Sequence, residues 1–497
     1  MKLKTGINKY IVTKTQSEKN KYEDDYVTNT MGAFGYLQAL ACGTGALCRS
    51  ITAWNTMSIV FLTSKTEFAC TKFKDGLSRR VQNSTCYEDC AEYEYNSVVF
   101  RETLISTFGL ICDRAWLVSF TQTMTMFGLA LGVTGLGWLS DRFGRQKALL
   151  LSIATSFIFM IVAPFAPNYW AYNICRFLAG FGSGGIMNIG VVYNMEMVGP
   201  KYREIAGISG LIADGFAIML LAAVAFHSST WQTFFLFFGL LSILFFVVML
   251  FMPESPRWLV SQRRTEQAIE MVTKVAKFNR LNTSHIRETV SKAVEELDTE
   301  HTEVQKRTLL DLFGTLELAK VTTVTCLVGF VGGTCYFGIH HYATLLGLDI
   351  FIIVPLMGLL QAVGNILGAP LNKYARRKVS LFCTLVIVAI MMTVLIFIPD
   401  GNWGCAATTG IAVIFTSGFF GVYYIFVNEL YPTPLRSMGA GMGCGGAKVG
   451  AMVAPFIANM QTHWMSSTIL AVVPFVGAAL CLLLPETKGK KMKDTVD

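Results

Sequence analysis

The sequence predicts an all-α membrane protein: twelve transmembrane helices arranged as two pseudo-symmetric six-helix bundles. Three observations carry that prediction. The chain of 497 residues is 53% hydrophobic and only 15% charged, with a mean hydropathy of +0.48, whereas soluble domains carry about 25% charged residues. It holds twelve apolar stretches of about 20 residues, each long enough to cross a ~30 Å hydrocarbon core as a helix. Short sequences also recur in order. Asp141-Arg142-Phe143-Gly144-Arg145-Gln146-Lys147 returns as Asn372-Lys373-Tyr374-Ala375-Arg376-Arg377-Lys378, at an offset of 231. Glu196, seven residues before Arg203, returns as Glu429, seven before Arg436, at 233. Pro253-Glu254 returns as Pro485-Glu486, at 232.

The apolar stretches run over 33–62, 115–139, 147–166, 169–194, 204–226, 232–252, 320–340, 348–370, 379–398, 406–430, 437–459 and 465–484. They are too long and too uniformly apolar for the alternating pattern of a barrel strand. The chain therefore divides into an N-terminus (1–30), a first six-helix bundle (31–252), a charged insert (253–319), a second bundle (320–484) and a tail (485–497). The insert mixes charged residues with spaced apolar ones. Ile269, Val272 and Val275, then Ile286, Val290 and Ala293, read as short amphipathic helices over 264–280 and 285–299.

Lys and Arg set the orientation. One face has a long loop, 63–114, and five short loops without Lys or Arg. The other collects the N-terminus, Arg142/Arg145/Lys147, Lys201/Arg203, the insert, Lys373/Arg376/Arg377/Lys378, Arg436 and the basic tail. Both termini are thus expected in the cytoplasm of a multi-pass protein, and the formal charge of +8 reflects topology rather than an acidic or nucleic-acid partner. Four of thirteen cysteines (Cys70, Cys86, Cys90, Cys112) fall in the long loop, where two disulfides fit an oxidising space with the pairing left open. Asn83-Ser84-Thr85 in the same loop is a glycosylation acceptor, and a glycosylatable cysteine loop favours the plasma membrane.

The echoed motifs resemble a known family. Asp141-Arg142-x-Gly144-Arg145 between helices 2 and 3 is similar to the cytoplasmic signature of the major facilitator superfamily. Within it, four stretches resemble the organic cation/anion transporter family: Cys112-Asp113-Arg114-Ala115-Trp116-Leu117-Val118, Glu196-Met197-Val198-Gly199-Pro200-Lys201-Tyr202-Arg203, Pro253-Glu254-Ser255-Pro256-Arg257-Trp258-Leu259, and Asn428-Glu429-Leu430-Tyr431-Pro432-Thr433 with Arg436. Gly35-Tyr36-x-Gln38 and the long cysteine loop fit as well. The second-half copy departs from the pattern at Asn372 and Ala375. The resemblance implies the major facilitator fold, a central cavity and transport by alternating access of the two halves. It implies gating roles for Asp141, Arg142, Gly144, Arg145, Glu196, Arg203, Arg376, Arg377, Glu429 and Arg436, with Glu196 meeting Arg145 and Glu429 meeting Arg376 or Arg377.

Ionisable groups at bilayer depth are expensive and are candidates for function. They are Arg49 in helix 1, Arg176 in helix 4, Asp214 in helix 5 and Lys448 in helix 11. Lys448 lies about 16 Å from the cytoplasmic end of its helix, at 1.5 Å per residue, and Asp214 lies about as deep in the opposite half. The resemblance places Lys448 where cation carriers have an acid and anion carriers a base, and Gln361 where many cation carriers have an acid. Substrate binding is assigned to Lys448, Asp214, Asn55, Arg49, Gln361, Tyr336, Tyr193 and Tyr424, with Phe337, Tyr342, Trp54 and Tyr423 as further aromatic candidates. Three cations against one carboxylate favour a small organic anion or a zwitterion, leaving a cation open. Asp214 is expected either to face a substrate ammonium or to pair with Arg176 or Lys448. His340 and His341 read as hydrated interface residues or pH sensors. A proton, sodium or an exchanged anion is open as coupling ion. Gly180-Phe181-Gly182-Ser183-Gly184-Gly185 has dinucleotide-site spacing but no preceding strand, so close helix packing explains it better. No metal cluster or catalytic triad is evident, so neither a cofactor nor an enzyme is expected. The competing functions are a sugar facilitator and a non-transporting sensor with the same fold.

Overall fold

The computed structural model describes residues 30–487, apart from 33, 65, 75–82, 98, 301–308, 432–434 and 461–462. The N-terminus before residue 30, Pro432-Thr433 and the basic tail from 488 onward lie outside the described residues.

Among the described residues, twelve long helices form two bundles. The first comprises α1 (Tyr36–Met57), α2 (Trp116–Phe143), α3 (Arg145–Val162), α4 (Tyr169–Met197), α5 (Arg203–His227) and α6 (Trp231–Leu250). The second comprises α7 (Leu316–Ala343), α8 (Ile350–Tyr374), α9 (Arg377–Leu395), α10 (Trp403–Leu430), α11 (Arg436–Ala458) and α12 (His463–Cys481). Eleven are long and apolar enough to cross a membrane; α1 is long enough, but Gln38, Thr44, Arg49, Ser50, Thr52, Asn55 and Thr56 lower its hydropathy. Short polar side chains start the helices where the apolar runs begin. Asn168 caps α4, Thr230 α6, Thr315 α7 and Asn402 α10, each accepting from a backbone N–H of the first turn.

Several helices outrun their apolar stretches. α2 continues to Phe143 rather than 139, α4 to Met197 rather than 194, and α7 begins at Leu316 rather than 320. These extra turns carry charged residues, which hold a helix in water as readily as apolar residues hold it in lipid. The glycine run in α4 lies against α2: side chains at Gly180 and Gly184 would strike the backbone of Thr125 and Leu129. It is a helix-packing surface.

The long loop folds as a hairpin of β1 (Thr66–Phe73) and β2 (Cys90–Ser97). Disulfides join Cys70 to Cys90 and Cys86 to Cys112. Asn83 is exposed on the connection. The insert begins with Pro256–Ser261, followed by Thr265–Phe278 and Ile286–Glu300. Val272, Val275, Ile286 and Val290 bury against Trp258 and Met31. Asn279, ending the second of these helices, donates to the Met31 carbonyl at 3.0 Å and to Gln38 Oε1 at 2.7 Å. The insert helices are thereby pinned to the entrance of α1.

Candidate functional site: a charged cavity between two bundles

A cavity opens between the bundles, lined by α1, α2, α4 and α5 on one side and α7, α8, α10 and α11 on the other. Its charged residues are Arg49, Asp214 and Lys448. Arg49 Nε donates to Asp214 Oδ2 at 2.7 Å, so Asp214 pairs with neither Arg176 nor Lys448. Asp214 Oδ1 is buried and accepts no hydrogen bond. Lys448 Nζ reaches across the bundle interface and donates to the Met187 thioether at 3.5 Å. A thioether is a weak acceptor, so the ammonium charge has no carboxylate on it. The second bundle also supplies an aromatic wall: Tyr336 lies edge-on to Phe420 with centroids 5.7 Å apart, and Phe420 lies 5.7 Å from Tyr424. Gln361 and Phe337 complete this face. The free space open to water-sized spheres is about 90 Å³, well below the ~300–1,000 Å³ of sites that hold drug-sized ligands.

Six of the eight residues assigned to substrate thus converge: Arg49, Asp214, Lys448, Gln361, Tyr336 and Tyr424. Asn55 and Tyr193 do not reach the cavity. Asn55 Nδ2 donates to Ser183 Oγ at 3.0 Å, and its Oδ1 accepts from Arg176 Nη1 at 2.8 Å. Arg176 itself is fully buried within the first bundle over the Phe235 ring. Tyr193 is fully buried and donates to the Pro253 carbonyl at 2.8 Å. Trp54 and Tyr423 likewise spend their polar atoms on the Ala217 and Thr325 carbonyls. Tyr342 is buried in α7. His340 and His341 are buried rather than hydrated, and His340 Nδ1 lies 2.8 Å from the Tyr336 carbonyl. Sequence reasoning missed Met187, Asn365, Ser417 and Phe420 in the cavity wall. The one available signal was their shared depth with Lys448.

On the face of the insert, each bundle carries an ionic network. In the first, Arg145 pairs with Asp141 and with Glu196, the latter at 3.1 Å. Glu254 Oε1 accepts from the Arg145 and Gln146 N–H groups at 2.8 and 3.0 Å, capping α3. Gly144 sits at φ +112°, and a side chain there would collide with Glu254. Arg142 lies over Trp138 and Phe143. In the second bundle Arg377 pairs with Glu429 at 3.3 Å, and Glu486 accepts from the Arg377 and Lys378 N–H groups at 3.0 and 3.3 Å. Arg376 is exposed at the start of α9, while Arg203 and Arg436 begin α5 and α11. The equivalent of Arg145 is therefore Arg377, an offset of 232 rather than the 231 at which the sequences look alike. Arg376 takes the place of Gly144 with φ −75°. The pairs Arg145–Glu196 and Arg377–Glu429 each join helices of one bundle, at equivalent places in the two halves.

Burial pushes the Glu254 carboxyl up from its ordinary value, while backbone N–H donors and Arg145 pull it back. Glu254→Ala strands those donors at a helix start. We expect a loss of about 1–2 kcal/mol of stability, read as a lowered thermal midpoint of the purified protein. An unchanged midpoint would show the cap to be dispensable.

The bundles meet along two seams on the hairpin side. Between α2 and α11, Ser119 Oγ donates to the Pro455 carbonyl at 3.1 Å, Asn459 Nδ2 to Ser119 Oγ at 3.0 Å, and Thr123 Oγ1 to the Met452 carbonyl at 2.8 Å. Between α5 and α8, the Phe351 ring lies 5.4 Å from Phe226 and 6.2 Å from Phe61. Phe351 stands 232 residues after Ser119, and Phe226 stands 233 before Asn459. Equivalent places are thus closed by hydrogen bonds in one seam and by rings in the other. Deeper in the second seam α5 and α8 cross at Gly215 and Gly358. A Cβ on Gly215 would lie 2.6 Å from the Gly358 carbonyl oxygen, and one on Gly358 2.7 Å from that of Gly215.

Two six-helix bundles around a charged central cavity define a membrane transporter of the major facilitator superfamily. The sequence profile of the sugar (and other) transporter family matches residues 42–495, and the chain belongs to that family. The human solute carrier family 22 member 16 is 29% identical over 81% of this chain and 70% of its own length. The Drosophila melanogaster organic cation transporter protein is 26% identical, over 95% of this chain and 94% of that protein. The Arabidopsis thaliana organic cation/carnitine transporter 4 is 27% identical, over 97% and 91%. Among solved structures, the inward-open conformation of the E. coli xylose transporter XylE matches with a TM-score of 0.68 at 16% identity, covering 92% of this chain and 97% of that one. At that identity the likeness speaks for the fold alone. The family and these relatives are transporters, not enzymes.

Proposed function

We propose that this chain is a secondary transporter that moves small organic ions by alternating access, with an organic anion or the carboxylate of a zwitterion held at Lys448. The observation that carries the proposal is the state of the three cavity charges. Asp214 is engaged by Arg49, and the hydrogen bond of Lys448 goes to a thioether rather than to a carboxylate. An entering carboxylate relieves an unpaired ammonium, whereas an entering cation meets repulsion at low dielectric. A sugar would offer hydroxyls to that charge and leave it uncompensated. The aromatic wall supplies flat apolar surface for the body of the ion. The closed hairpin side and the small free volume are consistent with a cavity that must open toward one face to load. The plasma membrane, cytoplasmic termini and a glycan on Asn83 belong to the same reading, supported by the lysine and arginine distribution and by the exposure of Asn83.

The test is uptake into cells expressing Lys448→Met, normalised to protein at the surface. Uptake of a labelled aromatic monocarboxylate is expected to fall about tenfold or more, the scale of one charge pair at part-buried depth. Unchanged uptake at equal surface expression would sink the assignment.

A further inference from the structure

The cavity holds two cations and one carboxylate, and two of the three cancel. Arg49 and Asp214 are in direct contact at 2.7 Å. Lys448 lies within Coulomb reach of both but bonds to neither. One positive charge therefore faces an entering molecule. We propose that Asp214 is a specificity-determining residue that limits the substrate to one net negative charge, or to a zwitterion, and excludes dianions. This rests on the anion reading above and narrows it.

Asp214 acts in two ways. By holding Arg49 through Oδ2 it removes the second cation that a second carboxylate would need. Asp214 lines the cavity, and its Oδ1, just beneath the wall, accepts no hydrogen bond that would offset its charge. The second carboxylate of a dianion would approach the Asp214 carboxylate at low dielectric, which costs far more than the same approach in water. Rejection of a wrong ligand by a placed like charge is the general device of specificity. The cationic end of a zwitterion is attracted to the same carboxylate. Asp214 thus discriminates among anions by valence, while Lys448 anchors them.

Four ring compounds of nearly one shape separate the charge states at neutral pH: benzoate (one negative charge), phthalate (two), trigonelline (a zwitterion) and N-methylpyridinium (a cation). Their uptake is measured in cells expressing the full chain, its Asp214→Asn and Arg49→Met variants, and the double variant, all normalised to surface protein. The wild-type protein is expected to take up benzoate and trigonelline and to discriminate against phthalate. Asp214→Asn frees Arg49 and raises the phthalate-to-benzoate ratio about tenfold, the scale of one partner charge at this depth. Adding Arg49→Met removes the freed cation and lowers the ratio again toward the wild-type value, the remaining difference being the repulsion that Asp214 itself supplies. Arg49→Met alone leaves the cavity neutral, so benzoate uptake falls while trigonelline uptake persists. If Asp214→Asn fails to reach the membrane, this benzoate-to-trigonelline inversion carries the test. A phthalate-to-benzoate ratio that does not respond to Asp214→Asn, a double variant that behaves like Asp214→Asn, or an Arg49→Met carrier that keeps its benzoate preference overturns the valence role. A wild-type protein that takes up N-methylpyridinium and not benzoate overturns the anion reading itself, so the two failures are distinct.

Discussion

Gly358→Val is expected to reduce transport by one to two orders of magnitude while the protein still reaches the membrane. At this crossing of α5 and α8, the Cβ alone would stand 2.7 Å from the Gly215 carbonyl oxygen. Backbone on both sides of the contact leaves no flexible side chain to give way. Overpacking of this kind costs about 1–3 kcal/mol. In the proposed alternation the cost falls on the arrangement with the hairpin side closed, the one in which the two glycines touch here. A penalty of about 1–3 kcal/mol borne by one of two states shifts their ratio about 5- to 150-fold. The variant should therefore accumulate with its hairpin side open and cycle slowly. A cysteine placed at Met57, in the cavity wall, reports this: its labelling by an impermeant thiol reagent should rise in Gly358→Val. Gly358→Ala should show the same shift more weakly. Normal uptake and normal labelling in the valine variant would mean that the crossing is not part of the moving interface.

A second large effect is expected from the opposite manipulation. Ser119 and Asn459 face each other across the α2–α11 seam, with Nδ2 3.0 Å from Oγ. Replacing both by cysteine puts thiols at facing positions of the seam, and a disulfide formed between them would hold it shut. Oxidation should abolish uptake, and mild reduction should restore it, while each single variant remains active. Transport that continues through a demonstrated crosslink would refute alternating access across this seam. The nine free cysteines are an acceptable background, because Cys383 is the exposed one among them and lies on α9, away from the seam.

The fold was largely written in the sequence because apolar length is a direct physical requirement of the bilayer. What sequence left undetermined is which faces of the helices meet. Arg49 and Asp214 were legible as deep charges, but depth does not give rotation about the helix axis. Their pairing instead of an Asp214 contact with Arg176 or Lys448 needed the structure. Asn55 had the right depth and the wrong face, and Arg176 claims it. Tyr193 looked like a cavity aromatic, yet its hydroxyl ties α4 to the Pro253 carbonyl. The duplicated motif shows the same limit. Residue identity aligned Arg145 with Arg376, whereas hydrogen bonding aligns it with Arg377. A one-residue slip is invisible in a degraded repeat that offers arginine at both places.

The unlike seams have a thermal consequence. In the proposed alternation, opening the α2–α11 seam exchanges hydrogen bonds for bonds to water, with little change in heat capacity. Opening the α5–α8 seam wets the rings of Phe61, Phe226 and Phe351, and hydration of apolar surface raises heat capacity. Apolar association weakens on cooling. Cold should therefore loosen the aromatic seam while the polar seam still holds, so that the hairpin side parts from the α5–α8 edge first. A carrier duplicated from one bundle would have opened both edges alike; here a pair of phenylalanines in place of a serine and an asparagine gives the aperture a hinge edge and a lip.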